Sequence, residues 1–352
     1  MGRAGKVFLI VWAVLMTIIA VGLAGLEAMR YLGKSNLDSK SATVAPVLDQ
    51  STVELPEDNA QKWEDDWVRY DGNVYDYNED ITTFLIMGID KSDEVVKEVK
   101  EGTDGGQADA LFLLVLNPRK QAINIIGINR NSMTDIDVYD DYGRYQTTII
   151  GQLCTQHGFG NGKEESCEYQ VKAVSNMFYQ LPIHGYAAIN MSAIPIINDM
   201  VGGVDVTVLE DLTFENKELV EGEKVHLEGE AALAYVKGRD LKLFGSSDRR
   251  LERQRQYLNS FIKAAREMSQ DNTNAAIEIF TEISDKMVTN ISADEISYLA
   301  PYLTRFSFDA TDFKMINGEN KKVNGFEGFY VDEKDLYRTI IEVFYEKVDD
   351  VG

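Results

Sequence analysis

The chain has 352 residues, of which 58 are acidic and 35 basic, so its formal net charge is −23 at pH 7. Nucleic-acid phosphates bind basic surfaces, so direct nucleic-acid binding is disfavoured for a chain this acidic. The three histidines (His157, His184 and His226) are scattered without metal-ligand spacing, and neither a nucleophile elbow nor a Walker loop is found in the sequence.

An uncharged run, Val7–Leu26, follows two basic residues near the N-terminus. About 20 apolar residues span a bilayer as a helix, and basic residues before the run favour a cytoplasmic N-terminus. A cleaved signal peptide is the alternative, because residues 22–24 resemble a small-residue cleavage site, but its apolar core is usually only about 7–15 residues long. Residues 35–61 are polar and small, which is typical of a tether. The predicted organisation is a cytoplasmic N-terminus (1–6), a transmembrane anchor (7–28), a flexible linker (29–61) and an extracytoplasmic domain (62–352).

Ordered structure is predicted from Trp63 onward. An alternating segment around Asp71-Gly72 predicts a β-hairpin. Three runs that are apolar on both faces predict central strands: Phe84–Ile89, Ala110–Asn117 and Ala122–Ile128. Later patterns predict helices at 168–180, 192–200, 230–237, 248–269, 274–288, 293–302 and 333–348, and strands at 185–190, 204–208, 306–308, 313–316 and 326–331. This alternation predicts an α/β fold, with a mixed central sheet covered by helices on both faces, preceded by one N-terminal transmembrane helix.

The two cysteines, Cys154 and Cys167, flank a glycine-rich loop. In an oxidising compartment they are predicted to form a disulfide, which typically contributes about 2–4 kcal/mol. Two buried free thiols are the alternative. The loop itself is a weak nucleotide fingerprint, because no clean strand–helix pair frames it.

A basic segment stands out in this acidic chain. Residues 237–255 contain seven basic and three acidic side chains, a local balance of plus four. Within the helix predicted from residue 248, Gln254 lies in the apolar stripe and Arg250 lies one turn earlier on the same side. Because the arginine fork suits phosphate oxygens, an anionic ligand is predicted here. A solvated basic face that pairs with acids elsewhere is the alternative.

Two carboxylates stand at strand ends: Asp90 follows the first central strand and Asp109 opens the second. If those strands are neighbours, both carboxylates can share one cation at one edge of the sheet. Mg²⁺ commonly uses one or two carboxylates together with phosphate oxygens. Arg130 follows the third central strand, so the order is two acids, an arginine and then the basic segment.

This order resembles the LytR-CpsA-Psr family of extracytoplasmic cell-envelope proteins, from about Phe84 to Phe261. The blocks that carry the resemblance are FLIMGID, QADALFLLVLNPRKQAINIIGINRNSM, INDMVGGVDV, LEGEAALAYVKGR and RRLERQRQYL. The chain departs from the family pattern at Gln107, where many members have Arg, at Asn131, where they have Asp, and at Lys237, which replaces one Arg of a pair. The Asn-containing motif usual after the third strand is not evident near Thr148.

The resemblance implies an α/β fold with a buried channel for a polyprenyl chain. It also implies a membrane-anchored, Mg²⁺-dependent phosphotransferase that moves a glycopolymer from a polyprenyl diphosphate carrier to peptidoglycan. Its partners would be that carrier, peptidoglycan and membrane lipid. Matched residue by residue, the expected metal and catalytic residues are Asp90 and Asp109 with Arg130, and the expected diphosphate-binding residues are Arg130, Lys237, Arg239, Arg250 and Gln254. The alternative function is a non-catalytic binding or regulatory protein for lipid-linked envelope glycans.

Overall fold

The computed structural model describes residues 25, 27–37, 39–40, 44–48, 67–90, 105–140, 142–240, 242–272, 274–323 and 325–348. The predicted cytoplasmic segment (1–6) and almost all of the predicted anchor (7–28) lie outside these residues. None of the helices within the described ranges combines the length and the apolar character that crossing a bilayer requires.

Strands and helices alternate through the described domain. The strands are β1 Trp67–Tyr70, β2 Asn73–Tyr77, β3 Thr82–Ile89, β4 Ala108–Asn117, β5 Ala122–Gly127, β6 Met133–Tyr139, β7 Tyr145–Gln152, β8 Gly185–Asn190, β9 Val204–Thr207, β10 Lys224–Leu227, β11 Met287–Thr289, β12 Phe313–Met315, β13 Gly318–Val323, β14 Phe326–Val331 and β15 Tyr345–Lys347. The α-helices are α1 Glu164–Met177, α2 Ile194–Met200, α3 Glu230–Lys237, α4 Ser246–Asp271, α5 Ala275–Glu282, α6 Ala293–Arg305 and α7 Glu333–Phe344. Short 3-10 turns occur at Leu153–Phe159, Met191–Ala193, Ser284–Lys286 and Ala310–Asp312.

The central sheet has six strands in the order β11-β8-β3-β4-β5-β12. Strand β3 pairs antiparallel with β4 and parallel with β8, and β5 pairs antiparallel with β4 and parallel with β12. The sheet is therefore mixed, as predicted. The three runs predicted as central strands occupy its middle, because their side chains are apolar on both faces.

Helices cover both faces of this sheet. Successive side chains of a strand point to opposite faces, so Leu85 and Met87 join one core whereas Phe84 joins another. The first core includes side chains of α1 and α7, and the second includes side chains of α4 and α6. A third cluster packs β9 and β10 against α3 and α4. The predicted covering of both faces is confirmed. Helix α4 packs in two clusters, the second core and the third cluster.

The predicted hairpin is confirmed. Strands β1 and β2 pair antiparallel with Tyr70 opposite Asn73, which leaves Asp71 and Gly72 as a two-residue loop. Both loop residues have positive φ angles of 47° and 74°. Such a turn favours Asp-Gly because glycine adopts positive φ without a steric penalty.

Some boundaries differ from the prediction. The helix predicted at 274–288 ends at Glu282, because the chain then turns to add β11 beside β8. The helix predicted at 333–348 ends at Phe344, where β15 pairs with β2. The strand predicted at 306–308 is only an isolated bridge from Ser307 to Ala122. In each case, pairing with a distant strand overrides the local helical or apolar pattern.

Described residues of the predicted linker contact the domain. Leu37 and Leu48 are 4 % and 6 % exposed and belong to the two main cores. The backbone N–H of Val47 donates to the carbonyl of Tyr179 at 2.7 Å. The polar composition concealed two buried leucines, so at these positions the chain packs on the domain instead of extending from it.

The predicted disulfide between Cys154 and Cys167 is wrong, because both cysteines are free and buried. The Cys154 sulfur lies 2.9 Å from a guanidinium nitrogen of Arg130, whereas the Cys167 sulfur lies 3.9 Å from Nε2 of His157. The two thiols therefore have different neighbours. Burial raises the pKa of each thiol, so both stay protonated near neutral pH.

We expect both cysteines to react with a thiol reagent when the protein is unfolded without reductant. In the native protein both should react slowly, since the thiolate is the reactive form and both side chains are buried. Counting labels by mass spectrometry before and after unfolding measures this. If the unfolded, unreduced chain took up no label, the two cysteines would be shown to form a disulfide.

Acidification should destabilise the fold through His184. This side chain is buried, its Nδ1 accepts a hydrogen bond from the Thr83 N–H at 3.0 Å, and burial lowers its pKa below 6.5. The unfolded chain therefore takes up a proton first, so stability falls as the pH drops below 6.5. A single group contributes at most about 1.4 kcal/mol per pH unit. His184→Asn, whose Oδ1 can accept the same hydrogen bond, should flatten this slope in urea unfolding.

His226 supplies the control for that measurement. It is half-exposed, and its hydrogen bond to Asp205 raises its pKa. The stability that His226 contributes is therefore present below the pKa of the unfolded chain and is lost as the pH rises through the pKa of the folded protein. This pH dependence is opposite in sign to that of His184. His226→Asn should not reduce the acid sensitivity. Equal slopes in the wild type and the His184 variant would show that His184 does not control this transition.

Candidate active site

Antiparallel pairing of β3 and β4 brings the predicted acids to one edge of the sheet, by which we mean the side formed by the ends of its strands. Because the strands run in opposite directions, Asp90 at the end of β3 and Asp109 near the start of β4 meet there, and the Asp90 N–H donates to the Gln107 carbonyl at 3.3 Å. Strand β5 runs toward the same edge and carries Arg130 just beyond its end. The predicted grouping of these three residues is present.

The carboxylate of Asp109 holds two arginines. Its Oδ1 lies 2.7 Å from a guanidinium nitrogen of Arg130, and its Oδ2 lies 3.1 Å from one of Arg250. A second nitrogen of Arg250 donates to the Asp109 backbone carbonyl at 3.2 Å. Arg130 is further held by Gln107 Oε1 and by the Cys154 sulfur. Both guanidiniums are therefore fixed in direction before any ligand arrives.

Helix α3 and the loop after it supply two more cations. Lys237 ends α3, and its Nζ lies 2.7 Å from Oδ1 of Asp90. Arg239 donates through Nε to Ser246 Oγ at 3.0 Å. Among the residues that the structure describes, no carboxylate forms an ion pair with Arg239. Its guanidinium therefore retains donors that can meet an anion.

A cavity of about 530 Å³ lies between these groups. Its described lining consists of Asp90, Asp109, Arg130, Glu215, Asn216, Glu230, Leu233, Ala234, Lys237, Arg239 and Arg250. The predictions from sequence did not include Glu215, Asn216 and Glu230. Glu215 and Asn216 reach the cavity through the loop between β9 and β10, which no local pattern predicts. Glu230 lies two turns before Lys237 on α3, so helical spacing would have placed the two on one face.

The crowding of guanidiniums perturbs their pKa values. Burial and the neighbouring Arg130 and Arg239 lower the pKa of Arg250 to about 10, although Asp109 opposes the shift. Burial and Arg130 also lower the pKa of Arg239. Burial opposes the charge of Arg130, but Cys154, Asp109 and Asp90 raise its pKa. The lowered pKa values of Arg239 and Arg250 indicate that burial and neighbouring arginines disfavour their charge, and an entering anion would stabilise it.

The predicted role of Gln254 is not matched by its position. Gln254 is not among the described residues that line the cavity. Its amide nitrogen donates to the backbone carbonyl of Val236 at 3.1 Å, which holds the end of α3 against α4. Arg250, one turn earlier, does line the cavity. Of the predicted pair, the arginine faces the cavity and the amide supports the helix beside it.

The most buried arginine of the basic segment is Arg253, 1 % exposed, and sequence reasoning missed it. The apolar stripe of α4 predicted one buried side. The helix is buried on a second side by α3 and β9, and Arg253 lies on that side, where it pairs with Glu210 at 2.8 Å. The signal in the sequence would have been an apolar stripe on α4 that is wider than contact with a single core requires.

The residues present fit a magnesium ion at Asp90. Its carboxylate lines the cavity and is 43 % exposed, and Mg²⁺ often takes one protein carboxylate together with phosphate oxygens and waters. Asp109 fits less well because both of its carboxylate oxygens face guanidiniums. Within the described residues, no group of three or more His, Cys, Asp and Glu side chains is arranged to hold a metal, so substrate oxygens would complete such a site.

A second cavity, about 230 Å³ and almost entirely apolar, lies between the sheet and α4. Its described lining is Ile86, Phe112, Leu114, Ile123, Ile125, Leu258, Phe261, Ile262, Ala265, Arg266, Ser269, Ala276 and Ala300. Helix α4 connects the two cavities, since Arg250 near its start faces the charged one and Leu258, two turns later, faces the apolar one. Helix α4 thus contributes Arg250 to a charged cavity near its start and Leu258 to a separate apolar cavity two turns later.

Comparisons with known proteins identify relatives of this chain. The chain is 26 % identical over 252 residues to a protein of Bacillus cereus named polyisoprenyl-teichoic acid–peptidoglycan teichoic acid transferase TagU, covering 71 % of this chain and 74 % of the relative. It is 24 % identical over 340 residues to the Enterococcus faecalis protein of the same name, covering 96 % of each.

Solved structures show the same fold. The structure described as TagT bound to LIIa-WTA matches with a TM-score of 0.56 and 20 % identity, covering 75 % of this chain and 89 % of that chain. Bacillus subtilis TagV matches with a TM-score of 0.55 and 24 % identity, covering 74 % and 96 %. The model of the LytR_cpsA_psr family matches residues 46–342, which include both cavities. With most of its length matched in this way, the chain belongs to the LytR_cpsA_psr family.

Proposed function

We propose that this protein is a membrane-anchored phosphotransferase that moves a glycopolymer from a polyprenyl diphosphate carrier to peptidoglycan. The observation that carries the proposal is the adjacency of the two cavities along α4. A polyprenyl diphosphate has a dianionic or more highly charged head joined to a long apolar chain. The arginine cluster suits the head and the apolar cavity suits the chain. The names of the TagU relatives support the same class of substrate and acceptor.

The diphosphate would be held by three guanidiniums from different elements. Arg130 and Arg250 are oriented by Asp109, and Arg239 keeps donors available. Lys237 would exchange its pairing with Asp90 for a phosphate oxygen. Such charge-assisted bonds made by prearranged donors favour the charge that develops during phosphoryl transfer.

The transfer step is a substitution at phosphorus. The oxygen of a peptidoglycan hydroxyl forms a bond to the phosphorus that carries the glycopolymer, the anhydride P–O bond breaks, and polyprenyl phosphate leaves. The hydroxyl proton passes to a cavity carboxylate. Asp90 is favoured over Asp109 for this role because it is accessible, whereas the Asp109 oxygens are occupied by arginines.

Magnesium belongs to this proposal as well. Asp90 would hold it through a carboxylate oxygen together with the diphosphate, and Asp109 would contribute mainly by fixing the arginines beside it. When bound, the ion would supply positive charge that neutralises the diphosphate.

Turnover of a purified, polyprenyl-diphosphate-linked glycopolymer tests the proposal. Incubation with peptidoglycan fragments should release polyprenyl phosphate and give a covalent polymer–peptidoglycan product, both detected by mass spectrometry. Asp90→Asn should reduce both. The matched control Asp211→Asn, an exposed residue outside the cavity lining, should reduce neither. Tight binding of the carrier without any release would instead establish the binding or sensing function.

A further inference from the structure

Described residues before the sheet form a latch on one end of the domain. We define the latch as Asn36, Leu37 and Lys40. The Lys40 ammonium lies 2.7 Å from the fully buried carboxylate of Glu295 and donates to the Asn290 carbonyl at 2.6 Å. The Asn36 amide donates to Asp294 at 2.8 Å, and Leu37 is buried in the core beneath α6. The Glu295 carboxylate also accepts from the Ser292 N–H at 2.8 Å, so it joins Lys40 to the first turn of α6.

The helical residues 27–37 approach α6 closely just before the latch. A Cβ at Gly33 would collide with the backbone carbonyl of Asp294, so a residue without a side chain is required there. Residues 27–32 continue away from this contact toward the apolar run Val7–Leu26. The direction in which the chain leaves the domain is therefore fixed by packing at the start of α6.

The latch lies at the sheet edge opposite the arginine cluster. Strand β11 runs antiparallel to β8, so residues 290–295 emerge beside Gly185, the partner of Phe84 at the beginning of β3. Asp90 lies beyond the other end of β3. Phe84 and Asp90 are six residues apart and each strand residue rises about 3.3 Å, so roughly 20 Å separates the latch from the diphosphate site.

The apolar cavity extends between those two edges. From Arg250 at the charged edge, α4 runs along the cavity to Arg266, whose guanidinium donates to the Phe306 carbonyl at 2.7 Å. The N–H of Ser307 in turn donates to the carbonyl of Gln121, just before β5 begins at the latch edge. The apolar cavity therefore lies between the arginine cluster and the edge from which the N-terminal chain leaves.

The exposed face of residues 27–34 has the composition of a membrane interface. Tyr31 and Leu32 are 74 % and 55 % exposed, and Arg30 and Lys34 lie within one turn of them. Tyrosine and basic side chains are typical of the headgroup region next to a spanning helix. The preceding run Val7–Leu26 is of bilayer-spanning length, so the occupant of this face is the bilayer surface.

From these contacts we infer that the latch orients the domain on the membrane, with the latch edge toward the bilayer and the diphosphate site at the distal edge. This inference rests on the proposed function for the identity of the lipid. The apolar cavity then lies between the bilayer and the arginine cluster, and the diphosphate and its glycopolymer are held on the cell-wall side.

Two matched lysines at opposite edges test the orientation. Lys120 lies in the turn between β4 and β5 at the latch edge, and Lys242 lies in the loop before α4 at the charged edge. Both are exposed, and both backbone N–H groups donate to a nearby side-chain oxygen. The full chain carrying Lys120→Cys or Lys242→Cys is labelled with a fluorophore and placed in phosphatidylglycerol–phosphatidylcholine vesicles containing nitroxide-headgroup lipid. The native cysteines are buried and should remain unlabelled.

We expect the lipid quencher to reduce fluorescence at position 120 and to leave position 242 unchanged. Equal quenching at the two positions, or stronger quenching at position 242, would overturn the orientation. Lys40→Ala in each labelled protein should narrow the difference, because it releases the latch. Lys224→Ala, an exposed lysine change outside both the latch and residues 27–34, should preserve it. A full difference retained in a folded Lys40→Ala protein would show that the latch does not orient the domain.

Two further points keep the test decisive. If Lys40→Ala unfolds the protein, Asn36→Ala is used instead, because it removes only a surface hydrogen bond of the same latch. The quenching experiment needs no substrate, so its outcome does not depend on whether the proposed function is correct. Expected quenching without release of polyprenyl phosphate would overturn the function and keep the orientation, whereas turnover with reversed quenching would overturn the orientation alone.

Discussion

Replacing Arg250 by alanine should lower the turnover of a polyprenyl diphosphate substrate at least tenfold while leaving the protein folded. Arg250 is 4 % exposed, lines the charged cavity and directs its guanidinium through Asp109. A hydrogen bond to a charged group contributes about 1.5–3 kcal/mol, and each 1.4 kcal/mol is about tenfold in rate or affinity. Burial and neighbouring arginines lower the pKa of Arg250 to about 10, so the empty site already opposes this charge. Its removal leaves Asp109 in an ion pair with Arg130 at 2.7 Å, so the protein should lose some folding free energy but remain folded.

Arg255→Ala is the matched control for that measurement. Arg255 lies on the same helix, is 35 % exposed and pairs with Glu252 at 2.8 Å, away from the cavity. Release of polyprenyl phosphate and binding of the carrier should be measured for both variants under identical conditions. Equal losses would mean that the basic segment acts as a diffuse electrostatic surface without a specific role for Arg250.

The edge of the sheet that carries the site could be predicted from sequence for a physical reason. Apolar runs on both faces identify central strands, and a charged residue that directly ends or begins such a run must lie at an edge of the sheet. That reasoning located Asp90, Asp109 and Arg130 together, as the pairing of β3, β4 and β5 shows. The sequence did not show the ion-pair partners of each carboxylate. Only the folded structure shows that Asp109 pairs with two arginines and that Asp90 pairs with a lysine.

Side-chain direction on α4 could be predicted only in part. Helical spacing put Arg250 and Gln254 on one side, yet one faces the cavity and the other bonds the end of α3. The disulfide prediction failed for a related reason: spacing along the chain gave no information on which neighbours Cys154 and Cys167 face after packing. Long-range packing decides such details, and the local pattern does not contain it.

Replacing Arg253 by alanine should destabilise the fold by about 3–5 kcal/mol, the cost typical of breaking a buried ion pair. Its guanidinium pairs with Glu210 and donates to the backbone carbonyls of Tyr235 and Gly238. These carbonyls lie at the end of α3, where the last turn has no partners within the helix. With alanine, Glu210 loses its closest cation and both carbonyls lose a donor.

Urea unfolding of the Arg253→Ala and Arg255→Ala proteins measures this difference. The exposed Arg255–Glu252 pair should contribute no more than about 0.5 kcal/mol, because surface ion pairs are screened by water. Arg253→Lys should recover only part of the stability, since one ammonium lacks the planar fork that reaches Glu210 and two carbonyls together. Turnover should fall in Arg253→Ala as well, because the end of α3 positions Lys237 and the loop that carries Arg239. Equal unfolding free energies for the two alanine variants would show that Arg253 does not hold α3 against α4.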